Sequence, residues 1–341
     1  MVVEQVRRAN KKPLLVIGIL SGLIFLSFFI SLNTGVSRIA PLDVIKTLAG
    51  FGTEKEQLVL FEFRLPRVVI ALLIGAGLAV SGAILQGVSQ NGLADPGILG
   101  INAGAGCAVV LFIFFFQGSA ASLSQFSIFV IPFFALLGAF LAALLIYVLA
   151  WKKGVAPVRL ILVGIGINAA FSAALIIFQL KMTPHDFMQA AIWLAGSIWG
   201  TSWSYVWAVL PWIVLLIPFA VYKARYLNVL NLGDQVATGL GVTVEKERGI
   251  LLFLAVALAG ACVAFGGGIA FLGLVAPHLA RRLVGPKHEV LIPASALMGA
   301  LLLLTADTIG RHLLAPSEIP VGLVVSILGA PYFIYLLMKT N

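Results

Sequence analysis

Eight stretches of this chain contain no Asp, Glu, Lys or Arg, and their lengths decide what it can fold into. They span residues 14–37, 68–94, 96–151, 160–180, 187–222, 249–280, 290–306 and 319–338. Across the 341 residues only 10% are charged and 61% are hydrophobic, whereas a soluble domain carries about 25% charged residues. No aqueous core of this size hides so much apolar surface, because a domain of about 300 residues still leaves about a quarter of its chain's surface in water. The solvent is therefore lipid. A cytosolic enzyme, a disordered regulator and a disulfide-stapled secreted domain are all excluded.

A spanning helix takes about 20 residues, so the run 96–151 holds two helices, with a break expected around Gln117–Ser127. The run 249–280 holds the end of one helix and the start of another, divided at Gly266-Gly267-Gly268. The first part of 187–222 reads as a short interfacial helix. These assignments predict an all-α polytopic membrane protein with about ten transmembrane helices, forming a single integral domain over 1–341. The apolar run 14–37 is too long for a signal-peptide core and reads as the first span. With the N-terminus inside, 15 of the 22 Lys and Arg residues fall in cytoplasmic segments, as the positive-inside rule requires. Ten spans then return the C-terminus to the cytoplasm. Five of the six Trp residues lie near the outer end of the sixth span, as an interfacial belt does.

Residues 38–66 and 181–200 form outside loops, and 223–248 the longest cytoplasmic excursion. Cys107 and Cys262 are too few and too distant for a metal or redox motif and read as small buried hydrophobes. Ionisable residues inside a membrane are functional flags, and there are almost none. Asp307 and Arg311 share a helical face at i and i+4, Asp95 sits at a helix break, and His278 follows Pro277. No relay of acids and histidines crosses the membrane, and no selectivity filter or cofactor motif occurs. Energy for transport is expected to enter from elsewhere.

Two end regions draw attention. Outside, Arg64-Leu65-Pro66-Arg67 places two guanidinium groups before the second span, where the helix dipole disfavours cations. Docking of a partner and snorkelling to lipid phosphates both fit, and Arg311 is able to join them in an anion-binding patch. Inside, Asn231 to Thr243 reads as a capping box of Asn231 with Asp234, a short helix ending at Gly239 or Gly241, and a second helix capped by Thr243. An ordinary connecting loop is the plainer reading.

Taken together, several segments resemble the FecCD-like permease subunits of type II ABC importers for ferric siderophores, haem and cobalamin. They are Arg64-Leu65-Pro66-Arg67, Gly75 to Gln86, Asn91-Gly92-Leu93-Ala94-Asp95-Pro96-Gly97-Ile98-Leu99-Gly100 and Asn231 to Val242. Gly268 to His278, Ala306-Asp307-Thr308 with Arg311, and Glu318-Ile319-Pro320-Val321-Gly322 complete the set. The resemblance implies a pair of permeases, identical or paralogous, in the bacterial cell membrane. Two cytoplasmic ATPase subunits and an extracytoplasmic substrate-binding protein would accompany them. It implies that Arg64, Arg67 and Arg311 receive binding-protein carboxylates and that Asn91 and Leu93 form a cytoplasmic gate. It further implies that cytoplasmic coupling helices over about 228–248 meet the ATPases, with Gly233, Asp234, Gln235, Thr238, Gly239 and Gly241 in the coupling surface. The chain departs from relatives at Gly92, where some have proline, and at Ala156-Pro157-Val158, where some place hydroxyl residues in a second gate. The implied activity is ATP-driven import, most commonly of ferric siderophore, with hydrolysis on a separate subunit and no resident cofactor or metal. Haem or cobalamin is the alternative cargo, and an ion-gradient carrier the alternative mechanism.

Overall fold

A computed structural model describes residues 2–34, 40–97, 99–120, 127–152, 154, 156–315 and 317–339. Among these there is no strand. The helices are α1 (Val2–Asn33), α2 (Pro41–Leu48), α3 (Glu54–Gln57), α4 (Leu65–Val88), α5 (Ile101–Ala120), α6 (Ser127–Ala150) and α7 (Pro157–Gln179). They continue with α8 (Pro184–Leu194), α9 (Trp203–Leu230), α10 (Asp234–Gly239), α11 (Val244–Gly266), α12 (Leu272–Val284), α13 (His288–Leu313) and α14 (Val321–Lys339). Each expected span has a helix. Among the described residues, eight helices are long and apolar enough to cross a membrane. The other two expected spans are shorter: the apolar part of α5 runs over Ile101–Phe116, and α12 has 13 residues. The expected break in 96–151 falls between Ala120 and Ser127, with its centre outside the described residues.

α4 lies at the centre, packed against α13, α11, α9 and α12, while α1 and α7 are peripheral. Lipid supplies no hydrophobic drive between helices, so association rests on close backbone approach and interhelical hydrogen bonds. Both occur here. A side chain at Gly75 would meet the Gly299 backbone of α13, and one at Gly104 would meet Gly138 of α6. The Ser81 hydroxyl donates to the Ala255 carbonyl of α11 at 2.6 Å. Cys107 and Cys262 are buried thiols in this bundle.

The region 38–66 differs from a simple loop. Beyond α2, a capping box at Thr53 and Glu56 starts a helix at Glu54, which continues as a π-helical stretch over Leu58–Arg64 and then as α4. Pro66 explains the widening. Its ring cannot donate to the preceding turn and crowds the carbonyl four residues back, and a π-turn relieves this conflict. Arg64 thus sits within a continuous helix rather than at a helix entrance, so the argument from the dipole at an N-terminus does not apply.

The cytoplasmic segment also differs from the sequence expectation. Gly233, not Asn231, occupies the N-cap of α10, with φ +92°; Asn231 closes α9. Thr243 precedes α11 itself and makes no side-chain cap. One short helix joined to a long one therefore replaces the expected pair of short helices. The end of α10 is as expected: Val242 N–H bonds the Ala237 carbonyl at 3.0 Å and Gly241 N–H that of Thr238 at 2.9 Å. This Schellman geometry requires the positive φ that Gly241 adopts.

Candidate functional site

The three arginines singled out in the sequence come together at one end of the bundle, but they face inward. Arg64 and Arg311 are only 6% and 7% exposed. Arg64 Nη1 donates to the Leu32 carbonyl and Arg311 Nη2 to the Ser31 hydroxyl, both in the last turn of α1. The free carbonyls of a helix C-terminus need such donors. Arg67 forks onto one oxygen of Asp307, with Nη2 at 2.7 Å and Nε at 3.0 Å, and its Nη1 reaches Glu318 Oε2 at 2.7 Å. The second oxygen of Asp307 faces Arg311 Nε at 3.1 Å. Asp307, 1% exposed, therefore bridges two guanidinium groups. Buried charges persist only when paired in this way. Glu318, in the connection between α13 and α14, is the partner that spacing did not reveal.

At the opposite end, α10 stands out from the bundle. Val236 and Leu240, four apart on one face of α10, are 50% and 62% exposed, and Leu232, just before the helix, is 60% exposed. Gln235, Thr238, Gly239 and Gly241 are exposed as well. Beneath them the attachment is buried and charged. Arg248 pairs with Asp234 at 2.7 Å and Glu245 at 3.2 Å, and Lys223 Nζ reaches both Glu247 oxygens at 2.7 and 3.0 Å. Asp234 thus anchors α10 to α11 instead of completing a cap.

The turn after α4 lies beside this attachment. Gln90, with φ +50°, donates from Nε2 to the Leu230 carbonyl at the end of α9 at 2.7 Å. The Asn91 side-chain oxygen accepts from Leu93 N–H at 2.9 Å, an Asx turn that fixes the two gate candidates relative to each other. Ala156 caps α7, whose first residue is Pro157.

Two cavities among the described residues bear on a passage. The larger, about 600 Å³ among α4, α5, α6, α7 and α11, is almost wholly apolar, with Tyr147 the one polar side chain in its lining. The smaller, about 430 Å³, is lined by the polar residues Asp95, Asn102, Asn168 and Ser172 together with Phe271 and the Gly268 turn. Among the described residues no group of three His, Cys, Asp or Glu side chains is placed to hold a metal.

A multi-helix apolar bundle with most of its charge gathered at its ends, a polar cavity within, and a short helix projecting from one end fits the membrane-spanning subunit of a transporter. The chain belongs to the FecCD transport family, whose profile matches residues 23–339. It is 67% identical, over 97% of its length and 99% of the relative's, to the iron(3+)-hydroxamate import system permease protein FhuG of Bacillus subtilis (strain 168). The iron-uptake system permease protein FeuC of the same organism is 44% identical over 93% of this chain and 95% of its own. Among solved structures, an inward-facing conformation of a metal-chelate type ABC transporter matches with a TM-score of 0.81 at 31% identity, covering 95% of this chain and 99% of that one. The chain is accordingly a multi-pass permease of the bacterial cytoplasmic membrane and a transport subunit, not an enzyme.

Proposed function

We propose that this chain is the permease subunit of an ATP-driven importer of ferric hydroxamate siderophores. The observation that carries this reading is the 67% identity to the iron(3+)-hydroxamate permease along nearly the full length of both chains. The scarcity of intramembrane charge agrees with it, since a proton-coupled carrier ordinarily uses titratable groups in its path. The chain makes and breaks no bond in its cargo. It alternates access, and ATP is hydrolysed on two separate cytoplasmic subunits that act on a pair of permeases, identical or paralogous.

In this scheme an extracytoplasmic binding protein docks at the arginine end, where its carboxylates compete with Glu318 for Arg67 and approach Arg64 and Arg311. Such pairs set register and encounter rate more than affinity. At the other end the exposed ridge of α10, with Gly233, Asp234, Gln235, Thr238, Gly239 and Gly241 framing it, seats in the ATPase. Movement of α10 reaches the gate through α9, because the Leu230 carbonyl holds Gln90 immediately before Asn91. Asn91 and Leu93 then open or close the passage.

The test is uptake into proteoliposomes holding the permease pair, the ATPases and the binding protein. Radio-iron-labelled ferric trihydroxamate is expected to accumulate, and unlabelled trihydroxamate chelate to compete with it. Haem and cobalamin should not compete. Accumulation of either in place of the trihydroxamate would refute the cargo assignment.

A further inference from the structure

α7 is apolar throughout its membrane stretch except at two positions. Between Arg159 and Gln179 its only hydrogen-bonding side chains are Asn168 and Ser172, and a spacing of four puts them on one face. Both line the 430 Å³ cavity. Neither side chain forms a hydrogen bond within the described structure, although polar groups on a membrane helix ordinarily find partners. The helix is also held closely there: a side chain on Gly100 would come within 3.2 Å of the Asn168 backbone nitrogen.

Asn102, at the start of α5, lines the same cavity and is half-satisfied. Its Nδ2 donates to the Ile269 carbonyl at 3.1 Å, while its Oδ1 is buried without a partner. A buried polar atom left unpaired in a native structure calls for an explanation, and a visiting ligand supplies one. Asp95, the fourth polar group, is engaged by the fold. Its Oδ2 accepts from Gly97 N–H at 2.8 Å. Its Oδ1 lies 2.7 Å from where a side chain on Gly273 would begin, in the first turn of α12.

The volume falls within the range of about 300–1,000 Å³ typical of small-molecule sites. With the Asp95 carboxylate engaged by the Gly97 N–H, the donor set that remains is neutral and lacks the carboxylates that hold a bare hard cation. It suits a metal already wrapped in an organic shell that offers carbonyl oxygens and N–H groups outward. We infer that Asn168, Ser172 and Asn102 form a polar contact site for the passing chelate. Asn168 Nδ2 and the Ser172 hydroxyl donate to oxygens of the hydroxamate shell, and Asn102 Oδ1 accepts from one of its N–H groups. The site gives the passage selectivity of its own, beyond that of the binding protein. It rests on the import reading above.

The experiment uses the full complex in proteoliposomes and radio-iron-labelled ferric trihydroxamate. Asn168→Ala with Ser172→Ala is expected to lower the uptake rate about tenfold, the scale of one or two lost hydrogen bonds. Asn168→Gln with Ser172→Thr, which keeps the donors, should restore uptake to within about twofold of wild type. Wild-type uptake in the alanine variant overturns the assignment. So does a loss that the conservative pair fails to restore, since that marks a packing role. If the alanine pair does not assemble, Ser172→Ala alone should still slow uptake about threefold, and an unchanged rate overturns the site. A wild-type complex that carries no trihydroxamate refutes the import reading itself, a result distinct from any of these.

Discussion

At the arginine end, Arg67, Asp307, Arg311 and Glu318 tie α4 to α13 and the connection beyond it, and Arg64 and Arg311 reach back to α1. At the α10 end, Arg248 and Lys223 hold a short helix whose own apolar ridge is left in the open. Both ends gather charge, but the first turns it inward and locks long helices together, whereas the second uses it as the root of a projecting lever. On the proposed reading the difference separates two jobs: a rigid end offers fixed geometry to a partner that must recognise it, and a rooted lever passes on the push of a partner that moves.

Four substitutions probe this contrast, and the largest effect is expected at Asp307. Asp307→Ala leaves two buried guanidinium groups facing each other without their shared carboxylate. Breaking a buried pair in this way costs about 3–5 kcal/mol, so purified protein should unfold at clearly lower temperature, measured by thermal denaturation in detergent. A variant as stable as wild type would show that the arginine end is not a lock.

Arg248→Ala comes next. Arg248 is 2% exposed, but its partners Asp234 and Glu245 are both substantially solvated, so the loss in stability should be about 1–3 kcal/mol. Its functional signature should be larger: ATP hydrolysis in the assembled complex continues while uptake falls. Tight coupling in this variant would mean that Arg248 is not the root of the lever.

The smallest effect separates two glycines of the same short helix. Gly233 has φ +92°, and a side chain there costs about 1–2 kcal/mol. Gly239 has ordinary helical backbone and nothing within 4 Å of where a side chain would begin, so Gly239→Ala should alter stability by less than about 1 kcal/mol. Coupling should weaken in Gly233→Ala and persist in Gly239→Ala. Equal behaviour of the two would remove the backbone argument and leave only a surface one.

The spans were legible because charge-free runs of sufficient length have no other home, and each expected span has its helix. What escaped were features made by residues far apart. Asp307 and Arg311 are four apart and were visibly paired, yet Glu318 meets Arg67 across 251 positions, which no local pattern encodes. The charged residues Glu62, Arg64 and Arg67 made 38–66 read as a loop, because a π-turn before Pro66 has no simple sequence signature. Asn231 and Asp234 satisfied a capping pattern, but Arg248 drew Asp234 elsewhere and Gly233 took the cap. The two polar residues of α7 lay in plain view in the sequence, but only the fold brings them and Asn102 to one cavity.

The central claim is that this chain is a passage driven by ATP hydrolysed on other subunits. Its most direct test is trihydroxamate uptake by the reconstituted complex, with ATP supplied on the nucleotide-binding side, in the presence and absence of protonophore. Uptake that requires ATP and is indifferent to the protonophore is the predicted result. Uptake that persists without ATP and collapses when the proton gradient is dissipated would contradict it.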